Sequence, residues 1–129
     1  MSIRHYQHSD APFVYNAWLR SNRNSDFARF IPNDLYYSTH SKIIEKHILN
    51  STILVSCDDI NPEVIRGFAC FSGTTVHYVY VKQVFRMLGV AKGLLAEVDI
   101  KGVTHWSPAI TNIFPESKRP IYNPYELTK

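Results

Sequence analysis

The sequence is short of cysteine and lacks any long apolar run. Its two cysteines, Cys57 and Cys70, lie in separate apolar, strand-like stretches. Their spacing does not suit a metal site, and we expect two buried free thiols, with a disulfide as the alternative. No stretch approaches the ~20 apolar residues of a membrane span, and the N-terminus has no apolar segment typical of a signal peptide. We therefore expect a soluble, cytoplasmic protein.

Strong charge and metal-ligand clusters are also missing. The formal net charge of +3 is below that of a domain dedicated to coating nucleic acid. This charge is compatible with binding an anionic cofactor or a nucleic acid, and it requires neither. His40 and His47 are seven residues apart on one predicted helix, too far for a chelating pair at one-turn spacing. We predict no metal site.

The length permits one packed core and no more. With 129 residues, of which 45% are hydrophobic, we predict a single domain over residues 1–129, with an irregular, proline-rich tail from about residue 107. In that tail the prolines at positions 108, 115, 120 and 124 leave no evident helix or closing hairpin.

Hydrophobic periodicity predicts a strand, two helices, three strands, a helix and a strand. The first helix begins at Ser9 or Asp10 with Pro12 in its first turn. The strand from Thr75 to Lys82 is apolar or aromatic on both faces, which indicates a central position in a sheet. The remaining predicted elements are a first strand at 2–6, a second helix after Ser38 and Thr39, strands at 52–57 and 64–71, a helix from Gly89 to about Lys101, and a strand at 103–106.

The most informative segment is the junction between the strand ending at Lys82 and the helix after Gly89. It carries the pattern Arg86, Gly89 and Ala91, with two residues and then one residue between them. The first backbone N–H groups of a helix have no intrahelical partner and therefore attract anions. Because Gly89 and Ala91 keep side chains out of the way, a pyrophosphate could approach the main chain closely.

This pattern in this element order resembles motif A of the Gcn5-related N-acetyltransferase (GNAT) superfamily, over roughly the first four-fifths of the chain. The resemblance implies an α/β (α+β) fold with a mixed, mostly antiparallel central sheet, helices on both faces and a shortened C-terminal part. It implies acetyl-CoA as cofactor, with pantetheine on the main chain of Tyr80 and Val81. Arg86 would flank the phosphates or form a surface salt bridge. The pyrophosphate would lie on backbone groups of Leu88, Gly89, Val90, Ala91 and Lys92.

The same resemblance implies transfer of an acetyl group to an amine by direct attack. His77 and His105 are equal candidates for the base, each with the alternative of an ordinary strand histidine. Tyr122 is a candidate acid, as is Tyr125, with the alternative that both anchor the tail.

The chain also looks like short GNAT-type proteins of bacteriophages, which would place it in a host cytoplasm and would suggest nucleic-acid bases or host proteins as acceptors. The acceptor, the acyl group and the oligomeric state stay open. Because the C-terminal part is short, a catalytically inactive GNAT-fold module that binds a protein or nucleic acid is the alternative function.

Overall fold

A computed structural model of the chain describes residues 2–129, which form a six-stranded sheet and four α-helices. The strands are β1 (Ser2–His5), β2 (Thr52–Cys57), β3 (Ile65–Ser72), β4 (Thr75–Val81), β5 (Gly102–Val103) and β6 (Ile121–Tyr122). The helices are α1 (Ala11–Arg23), α2 (Asn33–Asn50), α3 (Val90–Leu95) and α4 (Pro108–Ile113). Spatial order follows chain order: β1 to β4 pair antiparallel, whereas β5 and β6 are added in parallel. The predicted mixed, mostly antiparallel fold class and the central position of β4 are confirmed.

The residues cluster into two compact units. One unit contains the chain up to Tyr6 together with Thr52–Lys129, and the other is Gln7–Ser51. In the first unit, a core lies between α3 and one face of the sheet. Its fully or nearly buried members are Leu54, Ala69, Val76, Val90, Leu94, Leu95, Val103 and Ile110. Cys57 and Cys70 are both buried free thiols.

The second unit consists of α1, α2 and the segment that connects them. Helix α1 begins after Asp10 with a proline in its first turn, as predicted. Helix α2 begins at Asn33, before the predicted start near Ser38, because Pro32 stands just outside the helix where its missing N–H costs nothing. This earlier start includes Tyr36, whose hydroxyl donates to the carbonyl of Leu19 at 2.6 Å.

Two boundary predictions in the first unit were wrong. Helix α3 ends at Leu95 and not near Lys101, because the next two partly buried side chains, Val98 and Ile100, pack on the core at the two-residue spacing of extended chain. Strand β5 ends at Val103 and not at residue 106.

The tail contains a helix and a strand that we did not predict. Pro108 starts α4 in its first turn, where proline is tolerated, and Ile121–Tyr122 adds β6 to the sheet.

Strands β3 and β4 approach each other closely, and their register changes along the ladder. Gly67 lies opposite Val81, and a Cβ atom on Gly67 would stand 2.4 Å from the carbonyl oxygen of Tyr80. The register shifts between Cys70 and Phe71, so that β4 carries one extra residue around His77. This bulge changes which groups of β4 face β5.

Candidate functional site

The junction between β4 and α3 is a left-handed turn. Gly89 precedes the helix at φ +80°, and a Cβ atom there would have no neighbour within 4 Å. Met87 also has a positive φ, 67°, which is uncommon for a residue with a side chain. The N–H of Gly93 donates to the carbonyl of Gly89 at 2.9 Å, which closes the first helical turn. Gly93 is thus the first residue whose N–H bonds within α3. The N–H groups of Val90, Ala91 and Lys92 have no partner inside the helix.

Arg86 braces this turn against the end of β4. Its Nε atom donates to the carbonyl of Val81 at 2.9 Å, and the side chain is otherwise exposed. We predicted that Arg86 either flanks an anion or forms a salt bridge. This bond is compatible with the first role, because the terminal guanidinium nitrogens have no partner within residues 2–129. Lys92 is an exposed cation on the first turn of α3.

Strand β4 has a partner strand on its β5 side over only two residues. Thr75 pairs with Gly102 and Val76 with Val103, and the N–H of Thr104 donates to the carbonyl of Val76 at 3.0 Å. Beyond that point β4 continues to Val81 with β3 on one side and no strand on its β5 side. Side-chain burial changes at the same place, because residues 76–78 are buried and residues 79–81 are half-buried. We call the unpaired edge of β4 from Val79 to Val81 the β4 opening.

The backbone groups that face the β4 opening belong to Val79 and Val81. The N–H of Lys82 donates to the carbonyl of Arg66 in β3 at 2.9 Å, and Tyr80 lies opposite Phe68 in the same ladder. Since successive residues of an antiparallel strand point their backbone groups to opposite sides, those of Tyr80 face β3. The backbone of Val79, which sequence reasoning did not name, and that of Val81 therefore face the β4 opening, although the Val81 carbonyl already accepts from Arg86. The main-chain role given to Tyr80 and Val81 stays a prediction.

The side chain of His77 is fully engaged where β4 and β5 separate. Its Nδ1 atom lies 3.2 Å from Thr104 Oγ1 and its Nε2 atom 3.1 Å from Ser72 Oγ, and the residue is 3% exposed. A neutral imidazole satisfies both contacts, with one ring nitrogen donating and the other accepting. Both ring nitrogens of this candidate base therefore already have hydroxyl partners.

His105 lies just beyond β5, and not in a fifth strand as predicted. Its ring centroid is 4.9 Å from that of Tyr78, with the rings tilted by 47°. Burial lowers the pKa of His105 below its ordinary value of 6.5. The imidazole is therefore neutral at pH 7 and able to accept a proton.

Tyr122 is at the outer edge of the sheet. It lies in β6, opposite Val103, and its ring is 6.3 Å from that of Trp106 in an edge-to-face arrangement. Tyr125 follows in a short turn with its side chain 80% exposed. Strand β5 therefore separates Tyr122 from β4, and the role of Tyr122 as an acid stays a prediction.

Within residues 2–129, no group of three or more His, Cys, Asp or Glu side chains is arranged to hold a metal ion. No helix in the same range has the length and apolar character needed to cross a bilayer.

Comparison with known structures identifies the fold. No family model and no curated protein sequence matches the chain. A Corynebacterium glutamicum protein described as histone acetyltransferase HPA2 and related acetyltransferase aligns with a TM-score of 0.57 at 18% identity, over 74% of this chain and 68% of that one. A GCN5-related N-acetyltransferase from Rhodopseudomonas palustris aligns with a TM-score of 0.55 at 16% identity, over 74% and 61%. YncA from Salmonella typhimurium, solved with its cofactor acetyl-CoA, aligns with a TM-score of 0.51 at 21% identity, over 76% and 60%.

The chain has the GNAT fold. The resemblance seen in the sequence is therefore confirmed at the level of architecture. The chain spans only 60–68% of the length of the three structures.

Proposed function

We propose that the protein is an acyl-CoA-dependent N-acyltransferase that moves an acetyl group from acetyl-CoA to an amine by direct attack. The observation that carries this proposal is the β4 opening, which leads directly into the left-handed turn at Gly89. The opening offers backbone donors and acceptors in extended geometry, and the turn offers free N–H groups. An amide-containing arm that ends in a pyrophosphate requires both features in this order.

The residues present fit such a cofactor. The backbone of Val79 and the N–H of Val81 would pair with the arm, in the manner of a strand added to a sheet edge. The N–H groups from Gly89 to Lys92 would hold the phosphates, and the open space around Gly89 permits close approach. The cofactor itself would supply the activated acyl group. The acceptor is an amine of a nucleic acid, a protein or a small molecule.

The alternative is a catalytically inactive module with the same fold. It is supported by the positions of the predicted catalytic side chains, since His77 is enclosed by two hydroxyl groups and Tyr122 lies at the sheet edge. Such a module would bind a protein or nucleic acid and would transfer no acetyl group.

Calorimetry with acetyl-CoA tests the proposal through a matched pair of variants. Gly89→Glu and Gly73→Glu both place a side chain at a positive φ, +80° and +58°, with no neighbour within 4 Å of the new Cβ. Both should lose similar stability, about 1 kcal/mol from left-handed strain. Only Gly89→Glu places a carboxylate at the predicted phosphate site.

We expect Gly89→Glu to weaken acetyl-CoA binding by about tenfold or more. A carboxylate within ~4 Å of a phosphate costs about 1–4 kcal/mol, and 1.4 kcal/mol is about tenfold in affinity. Gly73→Glu should bind as the wild type does. Equal affinities of the two variants, or no binding by the wild type, would refute the proposed cofactor site.

A further inference from the structure

The β-bulge in β4 and the chain that leaves β5 are joined by one hydrogen-bonded group. His77, at the bulge, contacts the hydroxyl groups of Thr104 at 3.2 Å and Ser72 at 3.1 Å, and Thr104 Oγ1 also donates to the carbonyl of His77 at 3.4 Å. His77 and Thr104 are 3% and 4% exposed. Thr104 is therefore fixed by its side chain as well as by its backbone bond to Val76.

This bonding decides between the two candidate bases. To take a proton, His77 would have to break a buried hydrogen bond, which costs about 1–3 kcal/mol for the partner left unsatisfied. His105 has no such obstacle, because its ring nitrogens form no hydrogen bond within residues 2–129 and its ring is only partly covered. The ring faces Tyr78, and no charged side chain contributes to the pKa shift of His105.

The position of His105 depends on Thr104. His105 directly follows Thr104, and pairing with β4 stops at Val103. With no strand to hold it, the backbone at residue 105 is fixed by the Thr104 contacts to His77 and Val76 and by the ring contact with Tyr78. Fixing a reactive group beforehand removes an entropic cost from the reaction step.

We propose that His105 takes the proton from the acceptor amine and that Thr104, held by His77, is the residue that positions it. This inference rests on the acyl transfer proposed above. The amine nitrogen bonds to the acyl carbon as one of its protons passes to a ring nitrogen of His105. The carbon–sulfur bond breaks, the sulfur leaves with the bonding electrons and takes a proton from water, and an amide and a free thiol result. His105 then returns the amine's proton to water. Thr104 and His77 touch neither reactant.

The first test is an NMR pH titration of the histidine rings, with the His105 signal assigned from His105→Gln. Thr104→Val removes the hydroxyl at nearly constant side-chain size, and Thr52→Val is the matched control on an exposed position of β2. In Thr104→Val we expect the titration midpoint of His105 to rise towards 6.5, because the ring is no longer held in its half-buried position. Thr52→Val should leave the midpoint unchanged. His77→Gln should act as Thr104→Val does, and it carries the test if Thr104→Val fails to fold.

The second test measures thiol release from acetyl-CoA with spermidine, a lysine-containing peptide and an aminonucleoside as probe amines. We expect His105→Gln to lower kcat by about a hundredfold or more, as for loss of a general base, without weakening acetyl-CoA binding. Thr104→Val should lower kcat by about tenfold and raise the pH at which the acidic limb of the rate profile falls. Thr52→Val should match the wild type in both respects.

Several results would overturn the inference. They are an unmoved His105 midpoint in Thr104→Val and His77→Gln, a His105→Gln variant as active as the wild type, and no turnover of any probe amine although acetyl-CoA binds. Absence of acetyl-CoA binding by the wild type would instead overturn the proposed function. In that case the titration would still decide whether Thr104 positions His105.

Discussion

The close approach of β3 and β4 predicts that Gly67→Ala is severely destabilising. The added methyl carbon would stand 2.4 Å from the carbonyl oxygen of Tyr80 and 3.2 Å from the Cα atom of Val81. Ordinary contacts begin near 3.4 Å, and both neighbours are backbone atoms, so no rotamer change relieves the overlap. Overpacking of this kind costs about 1–3 kcal/mol, and we place this case at roughly 3 kcal/mol because the strands themselves must separate.

Thermal unfolding followed by circular dichroism measures the effect. At about 3–5 °C per kcal/mol for a chain of this size, Gly67→Ala should lower Tm by about 10–15 °C. Gly102→Ala is the control, since its new carbon would meet its nearest neighbours at 3.5 Å, an ordinary contact distance. We expect a Tm change of about 2 °C or less there. If the two variants melt together, the β3–β4 distance in the structure is wrong.

Two other predictions concern stability. Arg23 donates to the carbonyls of Ala28 and Ile31 and to Asn33 Oδ1 at 2.6–3.1 Å. Because these acceptors would lose their partner, Arg23→Met should lower the free energy of unfolding, measured in urea, by about 2–4 kcal/mol. The control is Arg20→Met at an exposed position, which should change it by about 0.5 kcal/mol or less. His105 has a lowered pKa when folded, so the unfolded chain binds more protons, and stability should fall as pH drops below about 6.5. His105→Gln should show a shallower decline between pH 7 and 5, and an identical decline would contradict the burial of this ring.

The sequence predicted the elements whose hydrophobic pattern and local signals agree. Strands β2 to β4 were found within a residue or two, because their apolar runs are bounded by turn residues. Helix α1 was marked by Asp10 and Pro12. The predictions failed at prolines, because proline can either break a helix or stand at its start. Pro32 and Pro108 were taken as breakers, yet each stands at a helix start.

The candidate site was predictable in part for a similar reason. The turn at Gly89 is local and could be placed from residue spacing, whereas the β4 opening depends on where β5 stops. That end point is determined by the bonds of Thr104 to His77 and Val76, which join residues about 27 positions apart in the chain. The bulge in β4 also changes which backbone groups face outward, and no residue pattern reports it. For this reason the prediction named Tyr80, whose backbone faces β3, and did not name Val79, whose backbone faces the opening.

The β4 opening also has a consequence for solubility. A strand near the middle of a sheet normally has a neighbour on both sides, but here Val79 has β3 on one side and no strand on the other. Exposed strand edges invite pairing with other chains, which is a common route to aggregation. Proteins usually protect the outermost strands, and this one carries a second, internal edge that a bound molecule would cover. Whatever fills the opening should therefore also keep the protein monodisperse at high concentration.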